Sequence, residues 1–512
     1  MTIEERPVTA GYELPKPSRK VILGLMVALV LYVLVREVAA ALTRPIWCDE
    51  VLTMLVASQS NARAMWNALS RGVDSHPPLF YLIEKAALHI VHNEHIGVRL
   101  PAILAFPCTL ICVFAYVRKK YSDSIAFLCA VLLLLTTLFH TYATDGRAYG
   151  MLIACIAFAL VCYQRVPSPF WTVMLAVSLM LAESLHYYAV FSMLPFYVAE
   201  SVYVIWTRRF RWQVWAALAL GPVPLLFFWP LLSSARAIFG AHVWTHYGLS
   251  SIPITYGSSF LTGGAFGVAL VAVSVAGIIG ARLLPVEGSP GEGVERDPVE
   301  AALLLTLLAL PFSTALATYL MHGPMSERYV QAFVLGVALA MACAMSLARG
   351  KVVLLFAVFV LSTVAVHEFS FWRSAHSLRL DNPALPVEAL IQKAGHPDLP
   401  VVFSDGVPYM QLTYYAAPEW KKRFVILEDP AKALKYSKTD NVDKGFEILR
   451  SYAPLHAYPL SEFVAAHPAF LFYLEDPGTG FDWLRIYFPE EASSMQALVV
   501  EGNRRVYLVK MR

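Results

Sequence analysis

From residue 20 to residue 371, long apolar stretches alternate with short polar ones. Residues 21–35 are almost unbroken hydrocarbon, and 38–42 extend them. A helix crossing a bilayer needs about 20 mostly apolar residues. The pattern therefore predicts eleven spans, at 20–42, 98–117, 123–142, 147–164, 168–184, 187–206, 213–232, 261–281, 300–320, 329–348 and 352–371. Only a short polar break at 183–188 separates two of them. The first apolar segment ends in Ala-rich sequence like a signal-peptidase site. Its core is longer than a signal h-region, so it reads as an uncleaved anchor.

The stretch after the first span has a different period. In 50–70, Val51, Leu55, Ala62, Met65, Trp66 and Leu69 recur at near-helical spacing with polar residues between them. This predicts a helix lying along the membrane surface. His76-Pro77-Pro78 interrupts it, and a second short helix is expected from Pro78 to about His92, since proline suits a first helical position. Residues 283–299, rich in Pro, Gly, Glu and Ser, read as a loop. Beyond 372 the texture changes again. Short strands are expected at 401–404, 424–427, 470–474, 497–500 and 506–509, and helices at 387–394 and 444–452. That alternation predicts a small α/β domain without a glycine-rich phosphate loop. The expected division is a tail at 1–19, a helical membrane domain at 20–371 with surface helices in 50–92, and an outer α/β domain at 372–512.

Composition agrees with this pattern. The 512 residues are 58% hydrophobic and 15% charged, as in a polytopic membrane protein in contact with lipid. A net charge of +3 is too small to point to nucleic acid. Its distribution says more. Arg6, Lys16, Arg19 and Lys20 precede the first span. Arg118-Lys119-Lys120, Arg165, Arg208-Arg209 with Arg211, Arg282 with Arg296, and Arg349 with Lys351 fall on the same side if the spans number eleven. By the positive-inside rule that side is cytoplasmic, which puts the amino terminus inside and the α/β domain outside. Cys108, Cys112, Cys129, Cys155, Cys162 and Cys343 lie in apolar spans and Cys48 near an aqueous edge, which is neither a disulfide framework nor a metal-type spacing.

The unusual polar clusters then share the outer face: Asp49-Glu50, Ser75-His76, Thr144-Asp145-Gly146-Arg147, the stretch 183–188 with Glu183, His186, Tyr187 and Tyr188, His242 to Tyr247, and Glu327-Arg328-Tyr329. Adjacent carboxylates at a membrane surface are costly and usually functional. Each cluster also has a plainer reading. Asp49 and Asp145 are good helix caps. Arg147 and Arg328 can snorkel to water. The tyrosines fit an aromatic belt.

The motifs Asp49-Glu50 after the first span, His76-Pro77-Pro78-Leu79, Gly146-Arg147-Ala148-Tyr149 and Glu327-Arg328-Tyr329 resemble those of bacterial glycosyltransferases related to protein O-mannosyltransferases and lipid A aminoarabinose transferases (glycosyltransferase family 39-like). The resemblance covers about residues 20–345 and implies the GT-C membrane fold. It also implies transfer of a sugar from a polyprenyl-phosphate donor to an extracytoplasmic lipid, glycan or protein acceptor, with inversion. Such chemistry needs a carboxylate to take the acceptor proton and cations to stabilise the leaving phosphate. The resemblance assigns Asp49 as base, with Glu50 beside it, and Arg147, Arg328, Tyr329 and His76 to the donor. Asp145, Tyr149, His186 and Tyr187 would line the site. Some relatives carry Lys at the place of His76. Metal use varies among relatives, so a divalent ion stays open.

Two rivals come from other classes. A transporter would place ionisable residues or broken helices at mid-bilayer, yet mid-span charges are scarce here; Arg36-Glu37 and His367-Glu368 lie near outer ends. A scaffold presenting its outer domain would not need Asp49, Arg147 and Arg328 to converge.

Overall fold

A computed structural model describes residues 17–242, 251–284, 297–377 and 382–511. The expected tail before 17, most of the 283–299 loop and the aromatic run 243–247 lie outside the described residues. Each of the eleven apolar segments is largely helical. Among the described residues, six helices are long and apolar enough to cross a membrane: Arg19–Thr43, Leu100–Val117, Ala189–Thr207, Trp212–His242, Gly264–Leu283 and Gly350–Ala375. Two bent pairs, Thr137–Thr144 with Tyr149–Tyr163 at 120° and Pro298–Leu308 with Leu310–Met321 at 60°, bring the number to at most eight. Asp123–Leu135 and Phe333–Leu347 are shorter than expected, and Pro169–Leu185, at 17 residues, has the expected length.

The breaks have local causes. Pro311 lacks the N–H that would continue the 298–308 helix, so the chain restarts at Leu310 with proline near the new amino end. In the predicted 123–142 span, Leu133–Leu135 tightens to a 3-10 turn and Thr136 becomes extended. There Thr137 N–H donates to Ser259 O at 3.0 Å, and Leu261 N–H to Leu135 O at 2.9 Å. Borrowed backbone partners of this kind let a non-helical turn persist at membrane depth. Beyond it, Thr137–Thr144 and Tyr149–Tyr163 meet at 120°, with Asp145–Arg147 at the bend.

The outer loop holds two helices where one was expected, Cys48–Ala57 and Ala62–Ser70, because Asn61 accepts the Ala64 N–H at 3.0 Å and caps the second. A third, Pro78–Ile90, starts at the predicted proline. These helices share one apolar cluster with the carboxy-terminal domain, in which Val56, Met65, Leu69 and Phe80 meet Leu390, Tyr409 and Phe446. They are thus fixed from both sides.

That domain carries a six-stranded sheet of β1 Val401–Phe403, β2 Phe424–Glu428, β3 Ala457–Pro459, β4 Ala469–Glu475, β5 Ser494–Glu501 and β6 Arg504–Lys510. The order is β3-β2-β1-β4-β6-β5. β1 to β4 run parallel; β6 is antiparallel to both β4 and β5. The five expected strands are present. β3 went unforeseen, as did the helix Gly406–Tyr415 that leaves β1.

Candidate active site

Asp49 and Glu50 stand in the first turn of the Cys48–Ala57 helix and face different ways, as adjacent helical residues about 100° apart must. Glu50 turns inward. Its oxygens receive Arg99 Nε at 2.7 Å and Nη2 at 2.6 Å, and Oε1 also takes the Gly146 N–H at 2.9 Å. Arg99, with no exposed surface, donates further to the carbonyls of Ala41, Arg44 and Pro45. This buried pair ties the end of the first span to the surface helix, the 100–117 span and the 146 turn. Gly146 admits no side chain: a Cβ there would stand 2.8 Å from Val98 O. The Glu50 carboxylate, expected beside Asp49 in the site, is buried and also accepts the Trp47 N–H at 3.2 Å.

Asp49 points the other way and stays partly exposed. Its Oδ2 accepts from Arg328 Nη1 at 3.0 Å and lies 3.9 Å from Arg147 Nε. Arg147 is itself anchored. Its guanidinium forks onto Asp74 at 2.5 and 3.1 Å and donates to Thr53 Oγ1 at 3.1 Å. Burial alone would raise the Asp74 carboxyl, but Arg147 and the nearby His76 outweigh it and hold it far below the usual carboxylate range. Asp74 was not anticipated, although it directly precedes the Ser75-His76 pair. Arg99 was missed as well.

Beside this ion cluster lies a set of packed rings. His76 is buried, and both its ring nitrogens lack a hydrogen-bond partner among the described residues. Its Nδ1 is 3.9 Å from Asp74 Oδ1, too far for a hydrogen bond. Burial, then Arg147, push the imidazole down to about 4 against the pull of Asp74. His76, expected at the donor, lies buried beside the ion cluster. His186 lies 5.0 Å from it, ring to ring, and its Nδ1 accepts the Tyr188 N–H at 3.1 Å, which leaves the proton on Nε2. Burial, then His76, Arg328 and Arg147, also keep His186 neutral. Tyr149 and Tyr329 sit 5.4 and 5.3 Å from His186, and the Arg328 guanidinium stands 5.6 Å over Tyr149 and 5.7 Å over Tyr329.

The structure thus brings Asp49, Arg147, Arg328, Tyr329, Tyr149, His76 and His186 together. Asp145 is close but committed, accepting Trp47 Nε1–H at 3.2 Å. Tyr187 packs against the apolar cluster of the outer helices and sheet domain. Among the described residues, no group of three or more His, Cys, Asp or Glu is arranged to hold a metal ion.

Residues 75–233 match the family model described as dolichyl-phosphate-mannose-protein mannosyltransferase. No curated protein matches the chain in sequence. Among solved structures, the chain is similar to ArnT from Cupriavidus metallidurans in the apo state, with TM-score 0.58 and 12% identity over 96% of this chain and 98% of that one. It is equally similar to ArnT from the same organism bound to undecaprenyl phosphate, with TM-score 0.57, 13% identity and the same coverage. The likeness extends over both the helical bundle and the sheet domain. The resemblance read from the four motifs is borne out: this is an integral membrane protein with the GT-C fold.

Proposed function

We propose that the protein is a membrane glycosyltransferase that moves a sugar from a polyprenyl-phosphate donor to an extracytoplasmic acceptor, with inversion and with Asp49 as base. The observation that carries this reading is the Asp49 carboxylate lying between two guanidiniums, 3.0 Å from Arg328 and 3.9 Å from Arg147, at an outer helix edge. The partial family match and the fold shared with an undecaprenyl-phosphate-bound structure support it.

In this reading the acceptor hydroxyl oxygen attacks the anomeric carbon while the bond from that carbon to the phosphate oxygen breaks. The hydroxyl proton passes to Asp49, and the negative charge leaving on the lipid phosphate is met by Arg328. Arg forks onto phosphate more strongly than Lys does. Donor phosphate and Asp49 then compete for Arg328, so donor binding frees the carboxylate to accept a proton. Arg147, pinned by Asp74, supplies a fixed charge close by. Neutral His76 and His186 and the tyrosines wall the sugar side.

Eleven crossings would leave the amino terminus inside a bacterial plasma membrane and the sheet domain outside. The shared outer face of Asp49, Arg147 and Arg328 supports that orientation. The test is reconstitution in proteoliposomes with a radiolabelled polyprenyl-phosphate sugar. Acceptor-dependent release of free polyprenyl phosphate, abolished by Asp49→Asn, is expected. Unchanged release by Asp49→Asn would remove Asp49 as base.

A further inference from the structure

A second polar cavity lies in the sheet domain, outside the site described above. β1 sits between β2 and β4, and the chain leaves β1 through the Gly406–Tyr415 helix to reach β2 on one side, whereas β4 lies on the other. This is the point where strand order reverses, and in open α/β sheets ligands bind just beyond the strand carboxyl ends there. A cavity of about 130 Å³ occupies that place. Phe403, Pro408, Tyr473 and Pro477 give it apolar walls, and Ser404, Asp405, Glu475 and Thr479 give it polar ones. It has room for several water molecules, hence for one small ring rather than a lipid chain.

Its chemistry disfavours anions. The amino end of the Gly406–Tyr415 helix would ordinarily favour phosphate. Here Asp405 already occupies it, accepting the Val407 N–H at 2.9 Å and the Thr479 N–H at 3.1 Å. Thr479 Oγ1 also donates to the same carboxylate. Glu475 adds a second negative charge, partly matched by Arg504 at 3.3 Å. Carboxylates and hydroxyls beside aromatic and proline faces suit an uncharged polyhydroxylated ring, whose O–H groups donate to the carboxylates while its C–H face meets the walls.

The crevice is also linked to the reaction centre. The helix that starts at Asp405 spans ten residues, about 15 Å. Its far end grips the segment just before Asp49: Tyr415 OH accepts the Ile46 N–H at 2.7 Å, and Gln411 Nε2 donates to Ile46 O at 3.2 Å.

We infer that this crevice binds one neutral sugar ring of the acceptor, holding a glycan acceptor beside the membrane site. The acceptor assignment rests on the proposed function, whereas the sugar site itself does not. The test uses the full chain in lipid nanodiscs and saturation-transfer NMR with a neutral hexose, a neutral pentose, a hexuronic acid and a hexose 1-phosphate. A neutral ring should bind and the acidic ones should not. Glu475→Gln, at the partly exposed rim, should weaken binding at least tenfold, and Ser404→Leu, which fills the cavity, should abolish it. Undecaprenyl phosphate binding should be unchanged in both variants. Failure of every neutral ring, equal binding of acidic sugars, or indifference to both substitutions would overturn the site. Displacement of the ring by a polyprenyl-phosphate-linked sugar would overturn its acceptor assignment. Undecaprenyl phosphate binding is read separately, so its absence in the unsubstituted protein would count against the proposed function and leave the sugar result standing.

Discussion

Arg328 Nη1 donates to Asp49 Oδ2 at 3.0 Å, joining residues 279 positions apart in the sequence. The contact brings a carboxylate from the first outer loop to a cation on the approach to the Phe333–Leu347 helix. In the proposed reaction Arg328 serves two partners in turn, Asp49 and the donor phosphate. Activity should therefore fall in the order Arg, Lys, Gln at position 328, because Lys keeps the charge and loses the planar fork. Affinity for undecaprenyl phosphate should weaken along the same series. A donor with a better leaving group should partly rescue Arg328→Gln in a transfer assay, since less charge then needs protein help.

Asp49→Asn keeps size and removes basicity. Transfer should fall by about two orders of magnitude or more. Undecaprenyl phosphate should bind at least as tightly as before, because the Asp49 side chain no longer competes as an anion for Arg328. Parallel turnover and binding measurements separate this outcome from general damage.

Asp74 and Arg147 form a buried forked pair, with about 5% of each side chain exposed. Removing one partner of such a pair costs about 3–5 kcal/mol. Asp74→Ala should lower the melting temperature sharply. It should also reduce donor binding, because Arg147 would be free to swing onto Asp49. A thermal-shift assay alongside lipid binding checks both effects.

His76 gives a pH prediction. Its folded pKa, pushed down to about 4, lies below the ordinary value near 6.5. Above 6.5 the ring is neutral whether the chain is folded or unfolded, and stability is complete. As pH falls through 6.5 toward 4, the unfolded chain takes up the proton first and stability is lost. Melting temperature should therefore drop between pH 6.5 and 4, and less so in His76→Asn. Imidazole nitrogen shifts should show His76 neutral at pH 6.

Much of this site was legible because polar motifs at helix ends are conspicuous against hydrocarbon. Asp49, Arg147, Arg328 and Tyr329 stand out for that reason. Their buried partners do not. Arg99 reads as an ordinary flank of an apolar span, and only the tertiary structure shows that it ends under Glu50. Asp74 is an unremarkable loop carboxylate until Arg147 arrives from 73 residues away. The number of spans was less legible for a related reason. Leu133 to Leu135 is as apolar as any helix, and hydropathy cannot register that Leu135 O accepts from Leu261 and Thr137 N–H donates to Ser259 instead. β3, at three residues, is too short for alternation to appear.

The fixed neighbour has a further consequence for the carboxylate pair. Glu50 needs its full length to reach Arg99, and Asp49 needs its shortness to meet Arg328 without crossing it. Exchanging the two, as D49E with E50D, leaves charge, composition and helix content unchanged while displacing both carboxylates by a methylene in opposite senses. A sequence with the same acidic dipeptide in reverse order would look equivalent in any tally of residues and would set each contact at the wrong reach.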